Sequence, residues 1–338
     1  VIHFASKRRE LVTAAAAEKV FLPIQEEMRA VEAEFDRQVS SNVQVVNYLG
    51  EFLRSSGGKR LRPALLILAS KAAGGGDRES VIRMATVMEM LHTATLVHDD
   101  IIDNAETRRN KPSMNAKFGN QTAVLMGDWL YMSAFETSLR ERSLRILDIL
   151  TRLTRKMTEG ELIQLTFIGK LDISEEDYFE ILKRKTAYLF AACCEVGAIL
   201  ANSNEDVVDA MRDFGLELGI AFQLSDDLLD LTSQSETLGK AAGSDLLEGK
   251  LTLPLIKLLR EDPSVFSTLE EIVRSGSYDA MPRAQLVSRL VETGIVDSVY
   301  GTALAHSDRA RKSLAILHES EYRSALEGVL AFATDRKK

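Results

Sequence analysis

The chain has 338 residues, 45% of them hydrophobic and 27% charged, with a formal net charge of −8. This is ordinary for a globular protein, and an acidic balance without a basic block argues against a nucleic-acid-binding surface. No apolar run reaches the ~18 residues that a membrane span needs; the most apolar long stretch, Tyr188–Ala201, is interrupted by Glu195.

Helical periodicity dominates, with apolar residues at three- and four-residue steps and no alternating strand pattern. In chain order the spacing predicts helices over 20–38, 43–54, 63–73, 79–103, 120–141, 143–167, 174–200, 205–231, 251–261, 283–293, 296–318 and 321–335. Pro23 and Pro63 stand where first-turn prolines belong, Ser174 with Asp177 signals a capping box, and Asn204 signals a cap. Gly57-Gly58, Gly74-Gly75-Gly76, and Gly239 with Gly243 mark loops. No Ser/Pro-rich linker divides the chain, so residues 1–338 read as one all-α domain, a large helical bundle. The N-terminus has no apolar signal core, and a cytoplasmic protein is expected. Val1 is not a methionine, which leaves open an organellar targeting segment removed before it. Cys193 and Cys194 are adjacent, fit no metal or redox spacing, and read as small buried apolar residues in a reducing compartment.

The first candidate site is G-G-K-R-L-R-P, Gly57 to Pro63, just before a helix. Backbone N–H groups, the cations Lys59, Arg60 and Arg62, and a helix N-terminus are the parts of an anion site. A basic loop in water is the plain alternative. Next comes Val97–Arg109, V-H-D-D-I-I-D-N-A-E-T-R-R, where Asp99, Asp100 and Asp103 occupy offsets 0, 1 and 4. On a helix, Asp99 and Asp103 share a face one turn apart. The residues before them are mostly apolar, and carboxylates on a buried helix are costly unless paired. A hard divalent cation is the economical partner. His92, seven residues before Asp99, lies on the same face two turns back. Arg108 and Arg109 suit bidentate contact with phosphate.

Lys185-Thr186 lies mid-helix in an apolar context, where the lysine either snorkels to solvent or serves a site. Asp226, Asp227 and Asp230 then repeat the aspartate spacing in F-Q-L-S-D-D-L-L-D, with Gln223 one turn before Asp227. A lone D-D-x-x-D reads as a solvated helix end. Two of identical spacing look like two walls of one site. Lys240 and Lys250 flank the glycine-containing loop that follows. Carboxylates repel an anionic substrate, so a divalent metal such as Mg²⁺ must bridge them to a phosphate-bearing ligand. No nucleophile–base pair accompanies the site. The chemistry expected is therefore departure of a diphosphate, stabilised by metal and Arg/Lys.

These motifs, G-G-K-R-L-R-P, L-V-H-D-D-I-I-D-N-A-E-T-R-R, K-T, F-Q-L-S-D-D-L-L-D and G-K, stand in the order of the trans-polyprenyl diphosphate synthase family, which the chain resembles over nearly its whole length. The resemblance implies an all-α, isoprenoid-synthase-like homodimer with a central cavity in each subunit. It implies head-to-tail condensation of isopentenyl diphosphate onto an allylic prenyl diphosphate, with two or three Mg²⁺ per active site. Carried over, Asp99, Asp103 and Asp226 ligate Mg²⁺, with Asp100, Asp227 and Asp230 in support. Arg108, Lys185, Thr186, Gln223 and Lys240 hold the allylic diphosphate, with Lys250 beside them. Lys59, Arg62, His92 and Arg109 hold isopentenyl diphosphate. Ala94 and Thr95, five and four residues before Asp99, are small and leave the first level below the aspartates open. A product of about seven to nine isoprene units follows, one unit per helical turn of ~5.4 Å, with quinone side chains as its expected use. Leu125, Trp129 and Met132 are candidates for the floor. Competing readings are a short-chain synthase, a terpene cyclase, which has no need of the site at Lys59–Arg62, and a non-catalytic synthase subunit, which tends to lose motif aspartates.

Overall fold

A computed structural model describes residues 20–55, 57–58, 60–109, 111–233 and 242–334. After a single 3₁₀ turn at Leu22–Ile24, which holds Pro23, the chain forms α1 (Gln25–Gln38), α2 (Gln44–Ser55), α3 (Leu61–Ala72) and α4 (Arg78–Ile102). A two-residue antiparallel ladder, β1 (Thr107–Arg108) with β2 (Lys111–Pro112), leads to α5 (Met114–Phe118), α6 (Asn120–Ser138) and α7 (Leu144–Phe167). Then come α8 (Glu175–Leu182), a π-helical turn at Lys183–Ala187, α9 (Tyr188–Leu200) and α10 (Glu205–Thr232). The chain continues with α11 (Ser244–Leu247), α12 (Leu253–Glu261), α13 (Phe266–Ser275), α14 (Arg283–Glu292), α15 (Ile295–Ser313) and α16 (Glu321–Thr334).

Local chemistry sets the helix starts. Asp77, Ser143, Ser174 and Asn204 each accept the backbone N–H three residues on, capping α4, α7, α8 and α10. The all-α expectation holds. The structure corrects three details. Residues 174–200 are one helical run interrupted by the π-turn, 107–112 form a small hairpin, and α13 was not anticipated. That helix follows Pro263 in a polar stretch and buries only Leu269 and Ile272, too few apolar positions to declare a period.

The core forms two clusters. One gathers α3, α4, α6 and α9; the other gathers α8, the π-turn and α12–α15. Helix α10 belongs to both, giving Val208 to Leu218 to the first and Ile220 to Leu231 to the second. Its aspartates are thereby held by packing on either side. Helix α9 runs between α3 and α10, and glycines permit the approach. A Cβ at Gly215 would stand 2.5 Å from the Phe190 carbonyl oxygen, and one at Gly197 would stand 2.5 Å from that of Leu66. Backbone cannot yield as a side chain can. Gly215→Ala should therefore destabilise the protein by about 1–3 kcal/mol, seen as a lower Tm in thermal denaturation. Among the described residues no helix is long and apolar enough to cross a membrane.

Candidate active site

Helix α4 delivers the first aspartate wall at its C-terminal end, where Asp103 is the cap residue. Asp99 and Asp103 are half-buried and one turn apart, while Asp100 is turned inward and 3% exposed. Burial, then the Glu161 charge, pushes the Asp99 carboxyl up to about 7 against the pull of Lys185. Arg108, on the hairpin, grips both oxygens of Asp100, with Nε at 2.8 and 2.9 Å and Nη2 at 2.6 Å. Asp103 accepts from Lys250 Nζ at 2.9 Å. Lys185 does not snorkel to water. Its Nζ lies 2.8 Å from Glu161 Oε1 and bonds Gln164, both on α7. Gly160 makes this possible, since a Cβ there would sit 2.6 Å from that of Arg184.

Helix α10 carries the second wall. The buried Asp227 accepts from Gln223 Nε2 at 2.8 Å and from the Tyr178 hydroxyl, and Thr186 Oγ1 donates to Gln223 Oε1 at 2.8 Å. Burial pushes the Asp227 carboxyl up to about 6 against those two bonds. Asp230 is fixed at the start of α11, accepting at 3.3 Å from Ser244 Oγ and at 3.4 Å from the Asp245 N–H. Lys185, Thr186, Gln223, Asp227 and Lys250 line one cavity of about 170 Å³. Lys250 lies just past α11, so its bond to Asp103 ties the second wall's loop to the first wall. Asp226 attracts Arg62, which stands at the far side of the site.

The basic motif divides its cations between the scaffold and the site region. Arg60 adopts a left-handed conformation (φ 49°) as the cap of α3, and its guanidinium is spent on Glu32 at 2.6 Å and Glu89 at 2.7 Å. Arg62 is held over the Phe190 ring at 5.2 Å, and its buried Nε has no hydrogen-bond partner among the described residues. Burial lowers its pKa, against the Glu89 charge. Arg109 donates to the Gly57 carbonyl. His92 faces this group; burial, then Arg62, Arg109, Arg108 and Arg60, hold its imidazole well below the usual range, so it is neutral at pH 7. Lys59 and Lys240 lie outside the described residues.

The structure therefore brings Asp99, Asp103, Arg62, His92, Arg108, Arg109, Lys185, Thr186, Gln223, Asp226, Asp227, Asp230 and Lys250 to one region. It separates the aspartates by task. The oxygens of Asp100 and Asp227 accept from protein donors, Arg108 and Tyr178 with Gln223, in keeping with the supporting role the resemblance implies for them. A helix turns by ~100° per residue, so the second aspartate of each doublet points off the shared face. Ala94 is fully buried in the core, whereas Thr95 is half-buried with its hydroxyl bonded to the His92 carbonyl. Of the floor candidates, Leu125 and Met132 are 68% and 63% exposed and point away from the interior. Trp129 lines a different cavity, between α1 and α6. Glu89, Glu161, Gln164, Tyr178 and Asp245 had no motif to announce them.

Among the described residues no three His, Cys, Asp or Glu side chains converge on one ion position. The donor chemistry is nonetheless that of a hard-cation site, since Asp99, Asp103, Asp226 and Asp230 offer carboxylate oxygens. Burial, with the Glu161 and Asp103 charges, raises the Asp99 pKa against Lys185 and Arg108, and a bound cation would oppose that rise.

An all-α bundle with two aspartate walls and a separate basic pocket defines a prenyltransferase, and residues 43–290 match the family model described as polyprenyl synthetase. The chain belongs to that family, has the isoprenoid synthase fold and is an enzyme of prenyl diphosphate synthesis. It is 35% identical to the octaprenyl diphosphate synthase of Escherichia coli (strain K12), with 93% of this chain and 97% of that one covered. It is 34% identical to a geranylgeranyl diphosphate synthase of Methanosarcina mazei, over 85% of this chain and 88% of the relative. A polyprenyl synthase from Caulobacter crescentus CB15, solved complexed with calcium and isoprenyl diphosphate, superposes with a TM-score of 0.88 at 36% identity, over 95% and 98% of the two chains.

Proposed function

We propose that the protein is a Mg²⁺-dependent synthase that adds isopentenyl diphosphate to an allylic prenyl diphosphate until the chain reaches about seven to nine isoprene units, one helical turn of depth per unit. The observation that carries this is the pair of separate cationic groups beside the aspartates: Arg62 and Arg109, with neutral His92 against them, on one side, and Lys185 and Lys250 on the other. One group suffices for one diphosphate; two serve a two-substrate condensation. The octaprenyl name of the E. coli relative supports the longer product. The fully buried Ala94 and the geranylgeranyl relative favour a second reading, a short-chain synthase.

Asp99, Asp103 and Asp226 would hold Mg²⁺, which supplies positive charge to the departing allylic diphosphate. Arg108, Lys185, Gln223 and Lys240 would hold that diphosphate. Lys59, Arg62 and Arg109 would hold isopentenyl diphosphate, with neutral His92 as a hydrogen-bonding wall. Holding both substrates in line supplies much of the rate. The double bond of one then attacks the allylic carbon of the other, and a proton leaves for the released diphosphate.

Leu125 and Met132 on α6 and Leu139, which opens the 3₁₀ turn just past it, recur at steps of seven and are all more than half exposed. Such an apolar stripe marks an interaction face, and a second copy of the chain is its proposed cover, making a homodimer.

Purified protein assayed alone with Mg²⁺ and both diphosphates tests the activity, and product mass spectrometry reads the length. Prenyl diphosphate formed equally well in a chelator would refute the metal. The basic pocket has its own test. Arg62→Ala should raise the KM for isopentenyl diphosphate about tenfold or more, the loss of one charge-assisted contact of ~1.5–3 kcal/mol, and leave the allylic KM nearly unchanged. Equal changes in both would place Arg62 outside that pocket.

A further inference from the structure

We propose that Tyr178 is a positioning residue of this synthase: it anchors a buried hydrogen-bond chain through Asp227 and Gln223 to Thr186, and so sets where Gln223 and Thr186 stand against the allylic substrate. The proposal rests on the condensation chemistry above.

Tyr178 stands on α8, seven residues before Lys185, and is 6% exposed. Its hydroxyl donates to Asp227 Oδ2, and the Leu253 N–H at the start of α12 points to the Tyr178 phenol oxygen. One phenol thus joins α8, α10 and α12 behind the site. The rest follows from donor counting. An ionised carboxylate only accepts. Gln223 must therefore turn Nε2 toward Asp227, which it does at 2.8 Å. Its Oε1 is then turned to Thr186, whose only proton is committed at 2.8 Å. What remains for the cavity is the second N–H of Gln223 and a lone pair of Thr186. Thr186 meets the substrate as an acceptor. Gln223, with Lys185, is the donor that a diphosphate requires.

Without the Tyr178 hydroxyl, Asp227 keeps one side-chain donor and its carboxylate is free to rotate, carrying the Gln223 amide and its bond to Thr186 out of line. Tyr178 borders the same cavity, but its hydroxyl is turned to Asp227, so it acts on Thr186 through two other side chains.

The test is a double-mutant cycle on the full-length enzyme. Tyr178→Phe should lower kcat about tenfold, the worth of one net hydrogen bond near 1.4 kcal/mol, with the KM for isopentenyl diphosphate unchanged. In a Thr186→Val background, which has no hydroxyl to orient, the same change should lower kcat less than about twofold. In a Thr186→Ser background, which keeps the hydroxyl, the full effect should return. Circular dichroism confirms that each variant is folded. A full tenfold loss in the Thr186→Val background would make Tyr178 a packing residue and overturn the proposal, as would a Tyr178→Phe enzyme with wild-type kcat. The wild-type control decides the underlying chemistry separately, because it must form prenyl diphosphate before any ratio is read.

Discussion

Asp99→Ala and Asp226→Ala each reduce turnover by at least about a hundredfold at saturating Mg²⁺, the scale of losing a group that stabilises developing charge, while far-UV circular dichroism stays helical. The fold survives because it rests on the two apolar clusters, and because Asp99 sits among Glu161 and Asp103 with its charge opposed by burial. Either variant retaining near-wild-type turnover would remove the two-wall metal site. Asp99 also gives a stability test independent of turnover. Its folded pKa, about 7, lies above its ordinary 3.8, so the folded state holds the proton more tightly than the unfolded chain. The sign follows. Asp99 costs nothing at pH below its ordinary value, and its cost grows as the pH rises toward 7 and then levels off. In a chelator, Asp99→Asn should therefore have a higher Tm than wild type at pH 8, with the gain shrinking as the pH falls toward 5. Saturating Mg²⁺ should abolish the gain by stabilising only the wild type.

Much of this was legible in the sequence because it is periodic or doubled. The Ser174–Asp177 box and Asn204 mark their helices, and the second aspartate cluster reveals the first as one wall of a site. What stayed hidden is what depends on contacts between distant segments. Lys185 in an apolar helix suggested snorkelling. Only the close approach of α7, permitted by Gly160, shows Glu161 and Gln164 waiting for it. A π-turn at Lys183–Ala187 has no simple sequence signature, yet it places Lys185 and Thr186 where they are. The doublets give the spacing but not the partners: helix rotation turns Asp100 to Arg108 and Asp227 to Tyr178, and neither partner is marked by a motif that pairs them. Met132 and Leu125 looked like floor residues because an apolar side chain does not declare whether its partner is its own chain or another.

Thr95→Phe should shorten the product from about seven to nine isoprene units to roughly three or four, because a ring on the aspartate face fills the first ~5.4 Å turn below Asp99. Thr95 is the residue to use. It lies four positions before Asp99, on the same helical face, and is half-buried. Ala94 is one position off that face and fully buried. A phenylalanine there should also shorten the product, but it must enter a packed core. Overpacking costs about 1–3 kcal/mol, so Ala94→Phe should lower the Tm where Thr95→Phe does not. The two variants thus separate a plug in the product's path from strain in the scaffold. Mass spectrometry of products from a short allylic primer reads the first effect, and thermal denaturation reads the second. A wild-type product of fifteen or twenty carbons, or unchanged products from both variants, would mean that the chain does not run down this face of α4. The aspartate walls and the condensation would stand, and the floor would then be sought on the other helices of the first cluster, α3, α6 and α9.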